Sequence, residues 1–321
     1  MLAQTTTRGV WQVSGGSSNR SYADIFLRHA VALIGPGDAG PWHPDRDDSA
    51  FDGGFVRRFA TEVQPGDIVL LRTGISTIRA VGLVASAYLY LPQFDDVNGW
   101  DLQHARRVRW CELPSEYDFD TPVFGANPPR LSRIGNAVVT DYAERFVQSP
   151  PTSWQTMPLP ALPEEEPPLD DIPASLQGLV AQVHDLASLY WDQTAFGDLP
   201  TEDELVAHAV VPFLRALGWP VERIAIKWRY IDVCVFRALP RCPATCHFLI
   251  EAKRLGTGVE GALMQAKAYV TALGVTRDVV VTDGIRYRMY EANRDFAPVA
   301  YANLARLKRS ALALFGRMQR P

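Results

Sequence analysis

Glu251 and Lys253 stand two residues apart inside the apolar run "FLIEAKRLG", residues 248–256. Successive side chains of a β-strand point to opposite faces. Phe248, Ile250 and Ala252 then face one way, and Leu249, Glu251 and Lys253 the other. An acid and an amine on one face, at the end of an otherwise apolar strand, form either a structural ion pair or a seat for a metal ion and a phosphate. One such triplet is weak evidence, since charged residues make up about 25 % of typical chains. Its company is more telling. Asp232 sits in "YIDVCVF", where Ile231, Val233 and Val235 are expected to face the core and Asp232 the other side. "TEDEL" puts Glu202 and Glu204 at a helix start, and Gln265 shares a helix face with Tyr269 at i+4.

These residue types suit phosphodiester hydrolysis. Carboxylates are hard oxygen ligands for Mg²⁺, which keeps several of its waters. The metal activates water and neutralises developing charge, and a lysine orients that water or stabilises the phosphate as a point charge. The carbonyl of Ala252 is an extra candidate ligand. The plain alternatives are a buried ion-pair network, acids favoured by a helix dipole, and a solvated Gln265. Cys242, Cys246 and His247 supply only three zinc ligands in a proline-rich loop, so ordinary thiols are the default reading.

The elements that must position these groups fall into two blocks. Residues 149–173 are crowded with proline and acids, which predicts a stiff, solvated linker. Before it, residues 1–148 alternate strand-like and helical stretches. "GVWQVS", "AVALIGPG", "PGDIVLLRTG", "TIRAVGLVASAYLY" and "HARRVRWCEL" read as strands, and "RSYADIFLRHA" and "GGFVRRFATEV" as helices. A small curved sheet or partial barrel follows. After the linker, residues 174–321 open with two helices, "ASLQGLVAQVHDLASLYW" and "EDELVAHAVVPFLRAL". Then come strands "RIAIKW", "IDVCVF" and "HFLIEAK", a helix "EGALMQAKAYVTAL" ended by Gly274, and a hairpin around Asp283-Gly284. "NLARLKRSALALFGRMQR" reads as a basic amphipathic helix.

The helix acid before "LGW", then "IDVCVF", "LIEAK", "MQAKAYV" and "VVVTDGIRYRMYE", resembles the PD-(D/E)xK nuclease superfamily. The pattern is most similar to the nuclease domain of the restriction subunit of type I restriction enzymes, over roughly residues 200–291. The resemblance implies an α/β/α restriction-endonuclease-like domain using Mg²⁺. Asp232 and Glu251 then match the metal-binding acids, Lys253 the catalytic lysine, and Gln265 the glutamine of the following helix. Glu202 matches the helix acid, with Glu204 second.

In the first block, "WQVSGGSSNRSYADIFLRHAVALIGPGDAGPW", "GDIVLLRTGISTIRAVGLVAS" and "NGWDLQHARRVRW" resemble the PUA-like superfamily, specifically its EVE and YTH-like branch. That branch takes a modified base between aromatic rings, and a flipped base is read on its Watson–Crick edge. The candidates are Trp11, Trp42 and Trp100 for the rings, with Ser18, Asn19 and Asp101 as polar contacts. Arg106, Arg107 and Arg109 are candidates for phosphate contact.

Two such domains imply a modification-dependent endonuclease. Its expected partner is double-stranded DNA carrying a modified base, such as modified cytosine in foreign or phage DNA. Because one centre cuts one strand, a homodimer or a transient dimer on DNA is expected. The alternatives are a non-cleaving binder of modified nucleic acid and an RNA-directed nuclease. With 321 residues, 47% of them hydrophobic, the chain has material for two packed cores. A formal charge of −4 leaves room for a local basic cleft but not a basic coat. Four scattered cysteines, with no signal-length or membrane-length apolar run, lead to an expected cytoplasmic protein without disulfides. No GxxxxGK[ST] loop is present, which disfavours a nucleotide-driven motor.

Overall fold

The structure, a computed structural model, describes residues 8–17, 20–37, 40–45, 54–97, 99–150, 153–191, 200–255, 259, 262–274 and 277–321. The chain divides into two compact units, residues 1–165 and 166–321. Both are mixed α/β, each built on its own sheet. Among the described residues no helix is long and apolar enough to cross a membrane.

The first unit holds β1 (Val10–Ser14), β2 (Gly16–Ser17), β3 (Arg20–Ser21), α1 (Ala23–His29), β4 (Val31–Ile34) and α2 (Phe55–Thr61). Then come β5 (Ile68–Arg72), β6 (Thr77–Val84), β7 (Leu89–Tyr90), β8 (His104–Asp118), β9 (Leu131–Arg133) and α3 (Ala137–Gln148). The main sheet runs β4-β8-β6-β5-β1-β9, with β7 also on β8, and curls into a half-barrel. The long β8 makes this possible: its first residues pair with β4 and β7, and its remainder pairs with β6 through a register shift. Both faces of the sheet are covered, so β1 and β5 are buried along their whole length. Trp11, Val13, Val69 and Leu71 pack with Phe26 of α1 and Phe59 of α2. Val10, Ile68 and Leu70 pack with Val139, Ala143 and Val147 of α3.

The proline-rich stretch is not free of either unit. Trp154 is buried against the α3 face, and Arg109 Nε donates to the Met157 carbonyl at 3.1 Å. Farther on, Leu169 and Ile172 pack on the core of the second unit, where the Leu169 N–H donates to the Leu307 carbonyl.

The second unit begins with α4 (Ala174–Trp191) and α5. The latter runs from Glu202–Leu205 through a π-type turn, Val206–Val210, into Val211–Ala216. Six strands follow: β10 (Ile224–Trp228), β11 (Ile231–Phe236), β12 (Cys246–Ala252), β13 (Asp278–Thr282), β14 (Arg286–Glu291) and β15 (Ala297–Asn303). Helix α6 (Leu263–Leu273) lies between β12 and β13, and α7 (Ala311–Met318) follows β15. The strands lie in chain order, all antiparallel except the β12–β13 pair. Helices α4, α5 and α7 share one core with one face of the sheet, and α6 shares another with the opposite face. Gly218, at φ 91°, turns the chain so that Trp219 enters the first core and donates Nε1–H to the Met318 carbonyl at 2.7 Å.

Two sequence expectations change here. The final "NLARLKRSALALFGRMQR" is helical only over Ala311–Met318, and the segment before it supplies the edge strand β15. The Asp283-Gly284 hairpin joins β13 to β14, with three residues between the strands rather than two. Buried Asp283 holds the turn by accepting the Ile285 and Arg286 N–H groups and pairing with the Arg286 guanidinium.

That turn is wedged under α5. Gly284 has φ 83°, and a Cβ there would lie 3.1 Å from the Ala209 Cβ. Replacement by valine combines backbone strain with a clash against buried helix. Gly284→Val is expected to lower the unfolding free energy by ~2–3 kcal/mol. The urea midpoint of the full chain measures this, and an unchanged midpoint would remove the constraint assigned to Gly284.

Candidate active site

β12 is paired on both sides for most of its length, then parts from β11. The ladder ends at Val233–Ile250, and one step beyond lie Asp232 and Glu251. On the other side β13 continues with β12 to the Ala252–Thr282 pair, and the Lys253 N–H donates to the Thr282 carbonyl at 2.8 Å. Glu251, Ala252 and Lys253 are thus held by β13 at the point where β11 diverges. Asp232 spans that divergence: its Oδ2 accepts the Ala252 N–H at 2.8 Å.

The sequence places Asp232 opposite a core face. Both faces prove to be core, and Asp232 and Glu251 are themselves buried, at 5% and 2% exposure. Two carboxylates inside a sheet need compensation, because burying unpaired charge is costly. Lys253 supplies part of it, with Nζ 2.7 Å from Glu251 Oε1. Lys227, on β10, supplies the rest, with Nζ 2.7 Å from Asp232 Oδ1 and 3.0 Å from Asp203. The second oxygen of Glu251, Oε2, is buried with no hydrogen-bond partner.

Burial pushes the Glu251 carboxyl up to about 7. Lys253 pulls against this, while Asp232 and Glu202 add to it. Lys253 is itself raised: burial works against its charge, and the Glu251 hydrogen bond and carboxylate outweigh it. Lys227 is raised chiefly by its hydrogen bond to Asp232.

The other predicted catalytic residues divide. Glu202, in the first turn of α5, lies close enough for its charge to act on both Glu251 and Lys253. Glu204 is committed elsewhere. It closes a capping box with Thr201, its Oε2 accepting the Thr201 N–H at 2.7 Å. Gln265 is exposed on α6, where its Nε2 donates to the Tyr269 hydroxyl at 2.8 Å. Among the described residues no three His, Cys, Asp or Glu side chains gather as metal ligands. Mg²⁺ is commonly held by one or two carboxylates plus waters and phosphate. Asp232, Glu251 and the Ala252 carbonyl fit that donor set, and the partnerless Glu251 Oε2 is the atom that asks for it.

Cys242, Cys246 and His247 do not form a zinc site. Cys246 is buried, Cys242 Sγ contacts Thr245 Oγ1, and the His247 ring packs 5.5 Å from Trp219.

In the first unit, a cleft of about 510 Å³ opens beside β1 and β5. Its lining includes Tyr22, Arg72, Trp100, Leu102, Asn127 and Arg130. Of the predicted base-contact residues among those described, only Trp100 lines it. Its ring meets Tyr22 edge to face, 6.5 Å between centroids, so the two rings do not form a parallel sandwich. Trp11 is a core residue whose Nε1–H donates to Asp67 at 2.9 Å. Trp42 packs on the inner core and donates its N–H to the Tyr88 hydroxyl. The Asp101 carbonyl abuts Gly35, where any Cβ would lie 1.9 Å away. Ser18 and Asn19 lie outside the described residues.

The three predicted phosphate-binding arginines each donate to backbone carbonyls. Arg106 is buried and donates to Phe59, Ala60 and Ser86, and burial lowers it to about 10. Arg107 and Arg109 bond to the Ala30 and Met157 carbonyls respectively. Sequence reasoning missed Lys227, Tyr22, Arg72 and Arg130. For Lys227 a signal existed: it falls opposite Asp232 if "KWRYID" is a two-residue hairpin.

Residues 11–124 match the family described as "Domain of unknown function (DUF8426)". No curated protein matches the chain. Among solved structures the chain is similar to a fragment of a putative HsdR subunit of a type I restriction enzyme from Vibrio vulnificus YJ016. The identity is 18% and the TM-score 0.26, over 37% of this chain and 25% of that one. The matched part thus spans a quarter of that fragment's length.

The raised Glu251 carboxyl has a consequence for stability. Its folded pKa of about 7 lies above the ordinary 4.5, so the native protein holds this proton more tightly than the unfolded chain. The linked stability is fully present below pH 4.5 and is lost as pH rises to about 7. Glu251→Gln removes that loss while keeping an oxygen for Lys253. At pH 8 it is expected to stabilise the fold by ~1 kcal/mol. Thermal unfolding at pH 5 and pH 8 checks this: the gain should appear only at the higher pH.

Proposed function

We propose that the chain is a metal-dependent endonuclease acting on DNA that carries a modified base, with hydrolysis in the second unit and base reading in the first. The observation that carries the nuclease reading is the buried, partnerless Oε2 of Glu251, set beside Asp232 and Lys253 where β11 and β12 part. A structural ion pair alone would not leave a carboxylate oxygen buried and unsatisfied. Asp232, Glu251 and the Ala252 carbonyl would hold Mg²⁺, which supplies an activated water and neutralises charge on the phosphate. Lys253, anchored through its backbone to β13, would stabilise a non-bridging phosphate oxygen or orient the attacking water. Glu202 adds a third carboxylate near the centre, and Gln265 and Tyr269 on α6, hydrogen-bonded to each other, would contact the substrate backbone.

For base reading, the support is the cleft itself. Its volume suits a flipped nucleotide, and Trp100 and Tyr22 offer ring faces or edges for stacking. Cutting both strands of a duplex needs a second copy of the centre, hence two chains meeting on DNA.

A second reading, a binder of modified DNA that does not cut, is favoured by one observation. Both buried carboxylates already hold ammonium groups.

Incubation with Mg²⁺ and matched duplexes containing cytosine, 5-methylcytosine or 5-hydroxymethylcytosine separates these readings. Cleavage of a modified duplex only is expected, with Lys253→Ala lowering the rate by ~10²–10³-fold. Selective binding without cleavage in any metal condition would favour the non-cutting reading. Trp100→Ala is expected to weaken binding of the modified duplex by roughly tenfold while leaving unmodified DNA unaffected. Equal loss on both duplexes in a binding assay would take the base away from this cleft.

A further inference from the structure

Lys227 is opposed to Asp232 across the β10–β11 hairpin, bracketed by the pairs Ile226–Val233 and Trp228–Ile231. Its ammonium bridges two acids, Asp232 Oδ1 at 2.7 Å and Asp203 at 3.0 Å. Asp232 Oδ2 already accepts the Ala252 N–H. Oδ1 is therefore the oxygen left for a cation, and Lys227 has it. The backbone at Lys227 is unusual as well. Arg229 and Tyr230, at φ 52° and 71°, are the left-handed residues that a tight hairpin turn requires. Lys227 also has φ 52°, yet it lies in the strand, outside the turn. A non-glycine residue persists in that region only where its surroundings demand it, and its two carboxylate contacts are such a demand.

Resting on the metal-dependent reading above, we propose that Lys227 is the resident counter-cation of Asp232. It fills the metal's place at Oδ1 and retires to Asp203 when a divalent ion arrives. The ammonium thereby competes with metal for one oxygen and sets the concentration at which the centre loads. Asp203, three-quarters exposed on the first turn of α5, is the place to which it withdraws. Lys227 is itself half-exposed, so the movement needs only its own flexible stem.

The test is Mn²⁺ binding to the full chain, followed by the electron paramagnetic resonance signal of free Mn²⁺, with circular dichroism to confirm folding. Wild type is expected to bind Mn²⁺ in a manner lost in Asp232→Asn. Lys227→Met is expected to bind roughly three- to ten-fold more tightly, and Lys227→Arg no more tightly than wild type. Should Lys227→Met not fold, Asp203→Asn carries the test from the surface. Removing the place of withdrawal is expected to weaken Mn²⁺ binding roughly two- to three-fold. If binding depends on Asp232 but Lys227→Met and Asp203→Asn leave it unchanged, the competition is overturned and the metal site stands. If no variant shows Asp232-dependent binding, the metal-dependent reading falls and the competition with it.

Discussion

The second unit is organised around one difficulty, a carboxylate at the end of a strand buried from both sides. Glu251 is fixed there by its own backbone, since β12 is laddered to β11 behind it and to β13 beside it. It cannot move to solvent without breaking those ladders. The surrounding parts follow from this constraint. Lys253 is tied to Thr282 and turned back onto Glu251. The hairpin after Thr282 is locked by the Asp283–Arg286 pair and seated on α5 through Gly284. That seat holds the start of α5, and with it Glu202, near the two buried carboxylates. A local charge problem thus reaches three strands and a helix.

The half-barrel unit solves a different problem with the same chemistry. The buried first stretch of the long strand β8 carries Arg106 into the interior, with Arg107 half-buried beside it. Five guanidinium donors can be satisfied by carbonyls alone, without an acid. Arg106 does this where α2 ends, at Phe59 and Ala60. The arginines of "HARRVRW" hold chain segments together through backbone carbonyls. Arg72 and Arg130 line the cleft, and Arg72 donates to Gln12 and to the Gly74 carbonyl. A count of basic residues along a strand does not predict which of them meet solvent.

How much could be read from the sequence depends on how far apart the cooperating residues lie. Glu251, Ala252 and Lys253 are consecutive, so strand alternation and the apolar run were enough. Asp232 needed only the recognition of the next strand. The opposition of Lys227 to Asp232 required the register of a hairpin whose turn residues, Arg229 and Tyr230, lack the glycine or asparagine that marks such turns. The spacing of apolar residues in "NLARLKRSALALF" starts the final helix too early, at Asn303, which pairing with β14 makes the last residue of β15, a strand that the sequence does not announce. Helix α3 was overlooked despite an Asn136 cap and apolar residues at Val139, Ala143 and Val147. Trp11 is a candidate through the resemblance to base-reading domains, although its place in a strand also suits the core. Its role depends on Asp67, more than fifty residues away, which takes the indole N–H along with the Gly9 N–H. The cleft has no sequence signal, because Tyr22, Arg72, Trp100 and Arg130 come from four separate segments.

The same burial that strains the second unit also makes its chemistry conditional. With its carboxyl raised to about 7, Glu251 at neutral pH is poised between its two protonation states. A cation beside the free Oε2 favours the ionised form, and a second carboxylate beside it favours the protonated one. Lys253 touches only Oε1, so it leaves that balance open at the buried Oε2. A divalent ion would supply the missing partner and the charge together. The ionised form then becomes dependent on metal rather than fixed by the fold. A fully paired carboxylate would be more stable and would have nothing left to offer a ligand. On the metal-dependent reading, the unsatisfied oxygen is the cost in stability that accompanies a usable site.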